Sequence, residues 1–328
     1  MLLFICNKIL QTGVWPKSWT QSIFITLPKK GSLKLCQNYR TIGLISHPNK
    51  IMLKAILNRL KPEAEKIMAD EQAGFRPGRS TLEHICNIRI LMEKYLQYQQ
   101  ELHNVFMDFK KAFDRVWHEA LRSTMRKYNI NSNLISVIEN MYNKATRAVF
   151  CNNKIRDWFR TTVGVRQGCL LSQTLFKIFL ERILTDALED HFGTVSIGGK
   201  PITNLRFADD IDGLAGNECE LANLVKQVDK ASSNFGMETS AEKTKIMTYS
   251  KESSKKERKI NGQILECVTK FNNLGSIISD EGSKPEILSR IAQTTAALTK
   301  LKPIWNNKNM VVNSNSNSKI RLLCSLVV

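Results

Sequence analysis

Val105-Phe106-Met107-Asp108-Phe109 and Phe207-Ala208-Asp209-Asp210 decide how this chain reads. Each is a short apolar run, rich in strand-forming residues, that delivers a carboxylate at its end. One Asp at a strand end is ordinary, and an isolated Asp pair at a hairpin tip is usually a solvated turn. Two such runs ending alike at corresponding edges of one sheet are different. Like charges that close raise each other's pKa and repel unless cations neutralise them. An oxygen-only ligand set favours magnesium or manganese over zinc.

Working outward, Val116, Trp117, Ala120 and Leu121 open a helix, and Leu134, Ile138, Met141 and Tyr142 belong to another. Leu175, Phe176, Phe179, Ile183 and Leu184 form a third, strongly apolar one. Residues 148–151 and 155–159 flank Asn152-Asn153-Lys154 as a hairpin. Residues 195–197 and 202–207 flank Gly198-Gly199 as a second, and the turn at Asp209-Asp210 leads into a strand at 211–214. A helix carrying Leu221, Leu224, Val225 and Val228 precedes a strand at 245–249. With the excursions set aside, the order from 105 to 249 is β-α-β-β-α-β, the ferredoxin-like pattern. In that topology the first strand and the central hairpin are neighbours, so Asp108 meets Asp209 and Asp210 at one end of the sheet.

The first hundred residues read as mostly helical after one strand at 23–27, which stops at Pro28-Lys29-Lys30-Gly31. Leu53, Ile56, Leu57 and Leu60 recur at helical spacing, and Pro62 is expected to end that helix or to sit just past its end. Gly74-Phe75-Arg76-Pro77-Gly78-Arg79 is a basic loop, followed by the capping box Ser80-Thr81-Leu82-Glu83. Beyond Ser250 the chain turns polar, then offers a strand or hairpin at 271–278 and a helix at 287–301. Residues 313–318 are a low-complexity link, and 320–328 read as the start of an unfinished helix.

Lys and Arg number 48 against 30 Asp and Glu, a formal net charge of +18, and such a balance calls for a polyanionic partner. The length of 328 residues fits two or three domains or subdomains. The eight cysteines form no C-x-x-C and no zinc-spaced set, so they read as reduced thiols of an intracellular protein. No basic leader with a small-residue cleavage site opens the chain, and no apolar run nears the ~20 residues of a membrane span.

Several blocks, in order, resemble the reverse transcriptases of non-LTR (LINE-type) retrotransposons. Lys29-Lys30-Gly31 with Asn38-Tyr39-Arg40 is similar to the fingers segment, and Glu71-Gln72-Ala73-Gly74-Phe75-Arg76 with Gly78-Arg79-Ser80-Thr81 to the next signature. The 107–114 block Met-Asp-Phe-Lys-Lys-Ala-Phe-Asp resembles motif A, and Arg166-Gln167-Gly168-Cys169-Leu170-Leu171-Ser172 motif B. Phe207-Ala208-Asp209-Asp210, Glu242-Lys243-Thr244-Lys245 and Leu274-Gly275-Ser276 resemble motifs C, D and E. The resemblance implies an α+β right-hand polymerase with a ferredoxin-like palm. Fingers would occupy mainly 1–104, palm mainly 105–250, and the palm edge with a truncated thumb 251–328. It implies RNA-directed DNA polymerisation, with an RNA template, a DNA primer, dNTPs and two Mg2+ ions, Mn2+ being an alternative.

By the same resemblance Asp108 and Asp209 hold both metals, Asp210 assists, and Lys243 gives a proton to pyrophosphate. Lys29 and Arg40 hold the triphosphate. Phe113 excludes a 2′-hydroxyl, and Gln167 and Gly168 line the nucleotide and template. Arg76 and Arg79 contact template or backbone. Nucleus and cytoplasm are the expected compartments, with no membrane. The chain departs from the pattern at Gln173, where Pro is usual, and the helix start there is expected to loosen. It departs also at Lys177, where a small polar residue is usual, and at Asn272-Asn273 before Leu274-Gly275. No endonuclease segment precedes and the thumb is short, so a remnant that only binds nucleic acid is the first alternative. A group II intron-type enzyme is the second.

Overall fold

The computed structural model describes residues 1–29, 31–151, 153–166, 168–250, 258–260 and 263–305. Gln167, the 313–318 link and the apolar 320–328 segment lie outside the described residues. The chain divides into two compact units after Cys267.

In the first unit, α1 (Leu2–Thr12) and α2 (Lys17–Thr20) lead into β1 (Gln21–Pro28) and β2 (Tyr39–Leu44). Two long helices follow, α3 (His47–Ile67) and α4 (Thr81–Gln97). Next come β3 (Leu102–Met107), α5 (Ala112–Arg115), α6 (His118–Lys127), α7 (Ser132–Asn143), β4 (Thr146–Cys151) and β5 (Lys154–Ile155). The helix α8 (Ser172–Leu188) and a small hairpin of β6 (Ser196–Ile197) and β7 (Lys200–Pro201) precede β8 (Asn204–Phe207) and β9 (Asp210–Ala215). Then α9 (Glu218–Asn234), β10 (Lys245–Tyr249), β11 (Arg258–Ile260) and β12 (Gln263–Cys267) complete the unit.

The main sheet has the order β11-β12-β10-β3-β9-β8. Its four strands β10-β3-β9-β8 pair antiparallel throughout, which is the ferredoxin-like arrangement expected from the element order. All six residues of β3 are buried, as a central strand covered on both faces requires. The apolar stripe of α9, Leu221, Leu224, Val225 and Val228, packs into the same core as Phe176, Phe179 and Ile183 of α8. Asn217 caps α9, its Oδ1 accepting from Glu220 N at 2.9 Å. Ser80 caps α4, its Oγ accepting from Glu83 N at 3.2 Å.

A second sheet, β2-β1-β4-β5, corrects two readings. The first hundred residues contain a second strand, β2, paired antiparallel with β1, rather than one strand among helices. The 148–159 hairpin is shorter than expected: β5 ends at Ile155, and Phe159 instead bridges Arg147. The helix carrying Leu60 does not end at Pro62 but runs on to Ile67. Burial of Ala64, on the face already carrying Leu57 and Leu60, offsets the lost backbone bond. At the start of α8, Gln173 stands exposed in the first turn. The helix starts at Ser172, whose Oγ donates to Arg166 O at 2.6 Å and so anchors the first turn.

The second unit holds a hairpin of β13 (Lys270–Asn273) and β14 (Ser276–Ser279), then α10 (Lys284–Trp305). Leu274 and Gly275 both have positive φ, the I′ pattern of a two-residue hairpin turn. No helix among the described residues is long and apolar enough to cross a membrane.

Pro62 is exposed inside α3, so Pro62→Ala is expected to raise stability by about 2 kcal/mol. Chemical denaturation would register this as a higher midpoint. An unchanged or lower midpoint would mean that the proline is accommodated without cost.

Candidate metal and nucleotide site

Strand register brings the carboxylates together. Met107 at the end of β3 pairs with Ile211, and Phe207 of β8 pairs with Asp210 across the two-residue turn Ala208-Asp209. Asp108 follows Met107 and Asp210 precedes Ile211, so both leave the same end of the sheet. Asp108 is fixed by a neighbouring segment. Ser240 N donates to its carbonyl at 2.8 Å, Phe109 bridges Thr239, and Lys243 Nζ donates to Asp108 Oδ2 at 2.8 Å. Lys245 points elsewhere, with Nζ on Glu242 O and on Glu266 Oε2. Lys243 is therefore the lysine of this pair at the carboxylates.

Burial pushes the Asp209 carboxyl above its ordinary range, and Asp108 adds to the rise, while Lys243 and Arg40 oppose it. The Asp210 carboxyl reaches solvent, yet the packed turn beneath strips part of its hydration. With Asp209, Asp108 and Asp212 adding negative charge and His84 opposing, it is pushed up to about 6. Among the described residues, no three His, Cys, Asp or Glu side chains lie close enough to hold a metal ion by themselves. Magnesium is commonly held by one or two carboxylates, with substrate phosphates and water completing the shell. An all-oxygen set of mutually repelling carboxylates fits that cation.

Arg40 lies on β2, close enough for its charge to favour the Asp209 carboxylate. Lys29 is exposed at the other arm of the same hairpin, its N donating to Asn38 O at 2.7 Å. Gly168 has φ +93°, and a Cβ there would stand 3.1 Å from Gly43 O, so Gly168 abuts β2. Phe113 is half-buried and stacks on Phe176 of α8 with ring centroids 4.5 Å apart. Its carbonyl accepts from Val165 N at 2.8 Å, which ties it to the loop that carries Gly168.

Arg76 is engaged inside the protein. Its Nε donates to Glu65 Oε1 at 2.6 Å, and its Nη1 to Ala69 O at 2.7 Å and Gln72 O at 3.1 Å. Arg79 is partly exposed and pairs with Glu83 at 2.5 Å. Lys177 also turns inward, its Nζ donating to Phe75 O at 3.1 Å. Burial lowers its pKa to about 8, Arg76 and Lys61 adding to the fall and Glu65 opposing it.

Two features at the site escape sequence reasoning. His84 Nε2 lies 2.7 Å from Asp212 Oδ2, both side chains fully buried behind the hairpin. Gln72 Oε1 accepts from Ala208 N at 3.1 Å and from Gly74 N at 2.8 Å. The Asp-x-Asp spacing 210–212 put a second acid on the same strand face as Asp210, which was the available signal for the first.

Residues 27–278 match the family model described as reverse transcriptase (RNA-dependent DNA polymerase). The chain belongs to that family. It is 32% identical over 180 residues to the 149 kDa protein of transposon TX1 of Xenopus laevis, covering 55% of this chain and 14% of that protein. It is 26% identical over 257 residues to the RNA-directed DNA polymerase from mobile element jockey of Drosophila melanogaster, covering 76% of this chain and 27% of that one. The chain thus spans a minor part of the length of these curated relatives. In fold it is similar to the apo telomerase of Candida tropicalis truncated from its C-terminal domain. The TM-score is 0.57 at 16% identity, over 84% of this chain and 59% of that one.

The raised Asp210 carboxyl gives a signed pH dependence. A carboxyl with a folded pKa near 6 and an ordinary unfolded value costs the fold nothing at about pH 4 or below. The cost grows as pH rises between those values and is complete above 6. Asp210→Asn should therefore raise the melting temperature in divalent-free buffer at pH 7.5, with the gain shrinking towards pH 4. A gain independent of pH would refute the electrostatic origin.

Proposed function

We propose that this chain carries the polymerase core for RNA-directed DNA synthesis, with an RNA template, a DNA primer and dNTPs as its substrates. The observation that carries the reading is the convergence of Asp108, Asp209 and Asp210 at one sheet end. Burial and mutual repulsion raise Asp209 and Asp210 there. Its family membership and net charge of +18 support it further.

In this reading the primer 3′-oxygen attacks the α-phosphorus of the dNTP, a new P–O bond forms, and pyrophosphate leaves. Two magnesium ions, or manganese, would lower the pKa of the attacking hydroxyl and neutralise charge on the leaving oxygen. Asp108 and Asp209 would hold them, and Asp210 would add charge nearby. Arg40 and Lys29, on one hairpin beside the carboxylates, receive the triphosphate, Arg being suited to bidentate phosphate contact. Lys243, held at Asp108, supplies a proton to pyrophosphate. The Phe113 ring, braced by Phe176, closes the sugar pocket against a 2′-hydroxyl. Gln167 and Gly168 line the nucleotide, and Arg79 is the more available of the two loop arginines for template phosphate. Residues 1–104 act mainly as fingers, 105–250 mainly as palm, and 251–328 as palm edge and part of the thumb. Such a protein works where RNA, DNA and dNTPs meet, in the nucleus and cytoplasm.

Primer extension on an RNA template with purified chain, dNTPs and magnesium tests the reading, with Asp209→Ala as control. Incorporation lost in the control is the expected outcome. Equal incorporation in both proteins would remove Asp209 from catalysis. In the same assay Phe113→Val should raise use of ribonucleotides relative to deoxynucleotides. An unchanged ratio would mean that another group screens the sugar.

A further inference from the structure

The turn that presents Asp209 is held from outside by one buried side chain. Ala208 has φ +60°, while Asp209 has no positive φ, so only the first central residue of the turn is left-handed. That is the II′ pattern, in which glycine is the comfortable residue. A residue with a Cβ there costs on the order of 1 kcal/mol and persists when its surroundings over-determine it.

The surroundings are the segment 71–76. Arg206 N donates to Glu71 O at 2.9 Å and Ala73 N to Arg206 O at 2.8 Å, so this segment adds a short parallel rung to β8. Gly74 lies directly on the turn, since a Cβ there would come 2.1 Å from Ala208 N. Gln72 is 1% exposed, and its Oε1 accepts from Ala208 N and Gly74 N. Two N–H donors converge on that atom, so it must be the oxygen of the amide. The segment is itself braced from behind. Arg76 ties it to Glu65 of α3, and Lys177 of α8 donates to Phe75 O.

We propose that Gln72 is a positioning residue for the metal site: its amide oxygen fixes the Ala208-Asp209 turn so that the Asp209 carboxylate faces Asp108. The inference rests on the metal reading of Asp108 and Asp209. Outer groups that orient ligands typically change metal affinity by ~10- to 100-fold when removed. Gln72→Met keeps the length and apolar stem of the side chain but has no oxygen for Ala208 N. The carboxylate then loses its fixed direction, and the cation site weakens while the sheet persists.

Manganese titration followed by the electron paramagnetic resonance of free Mn2+ tests this without any turnover. Measurements are made on the full chain, below the melting temperature of every variant. Asp209→Asn should abolish the tightest Mn2+ site. Gln72→Met should weaken it by at least ~10-fold, and Gln72→Asn, shorter by one methylene, in the same direction. Ile138→Val, a core change on α7, should leave it at the wild-type affinity even where it lowers the melting temperature as much. Wild-type affinity in Gln72→Met would overturn the proposal, as would equal losses in Gln72→Met and Ile138→Val. Should Gln72→Met fail to fold, Gln72→Asn decides on the same criterion. If Asp209→Asn itself keeps the tightest site, the metal reading fails. If it loses the site and the Gln72 variants keep it, only the role of Gln72 fails.

Discussion

Everything at the site depends on the antiparallel pairing of β3 with β9, in which Met107 faces Ile211. That register sets where Asp108 stands relative to Asp209 and Asp210, about a hundred positions away in sequence. A slip by one residue would turn each side chain to the opposite face of its strand. Full burial of β3 resists such a slip, because every residue of the strand, Asn104 included, is packed. The energy of the core thus holds like charges together against their repulsion, which a divalent cation would relieve.

Much of this was legible in the residues. The alternation of apolar strands with two amphipathic helices gave the ferredoxin-like order, and β3, β8, β9 and β10 follow it. The carboxylates were visible because acids at strand ends are conspicuous after apolar runs. Less visible was the β2-β1-β4-β5 sheet, in which β1 and β4 pair in parallel although more than a hundred residues apart. Nothing local in either strand announces that partner. Pro62 misled because a proline usually ends a helix, whereas buried Ala64 beyond it carries α3 on to Ile67.

The loop arginines show why a basic residue in a basic chain is a poor guide to its role. Arg76 looked like a phosphate contact, but its donors meet Glu65, Ala69 O and Gln72 O. Lys177 looked like a departure from the family pattern, yet its ammonium finds the Phe75 carbonyl in the same segment. Both braces end on the strip that carries Gln72, and that role depends on contacts made only after the chain has folded. At Gln173 the helix start is tied by Ser172 to Arg166 O, where a proline would act through its fixed φ.

The central claim is that Asp108 and Asp209 share a divalent cation at the end of this sheet. Crystals grown with manganese and examined by anomalous scattering test it most directly. The expected result is a peak within ordinary ligand distance of both carboxylates, with Lys243 shifted or kept on the other Asp108 oxygen. A peak bound elsewhere, with Asp108 still paired to Lys243 and Asp209 free, would contradict the account.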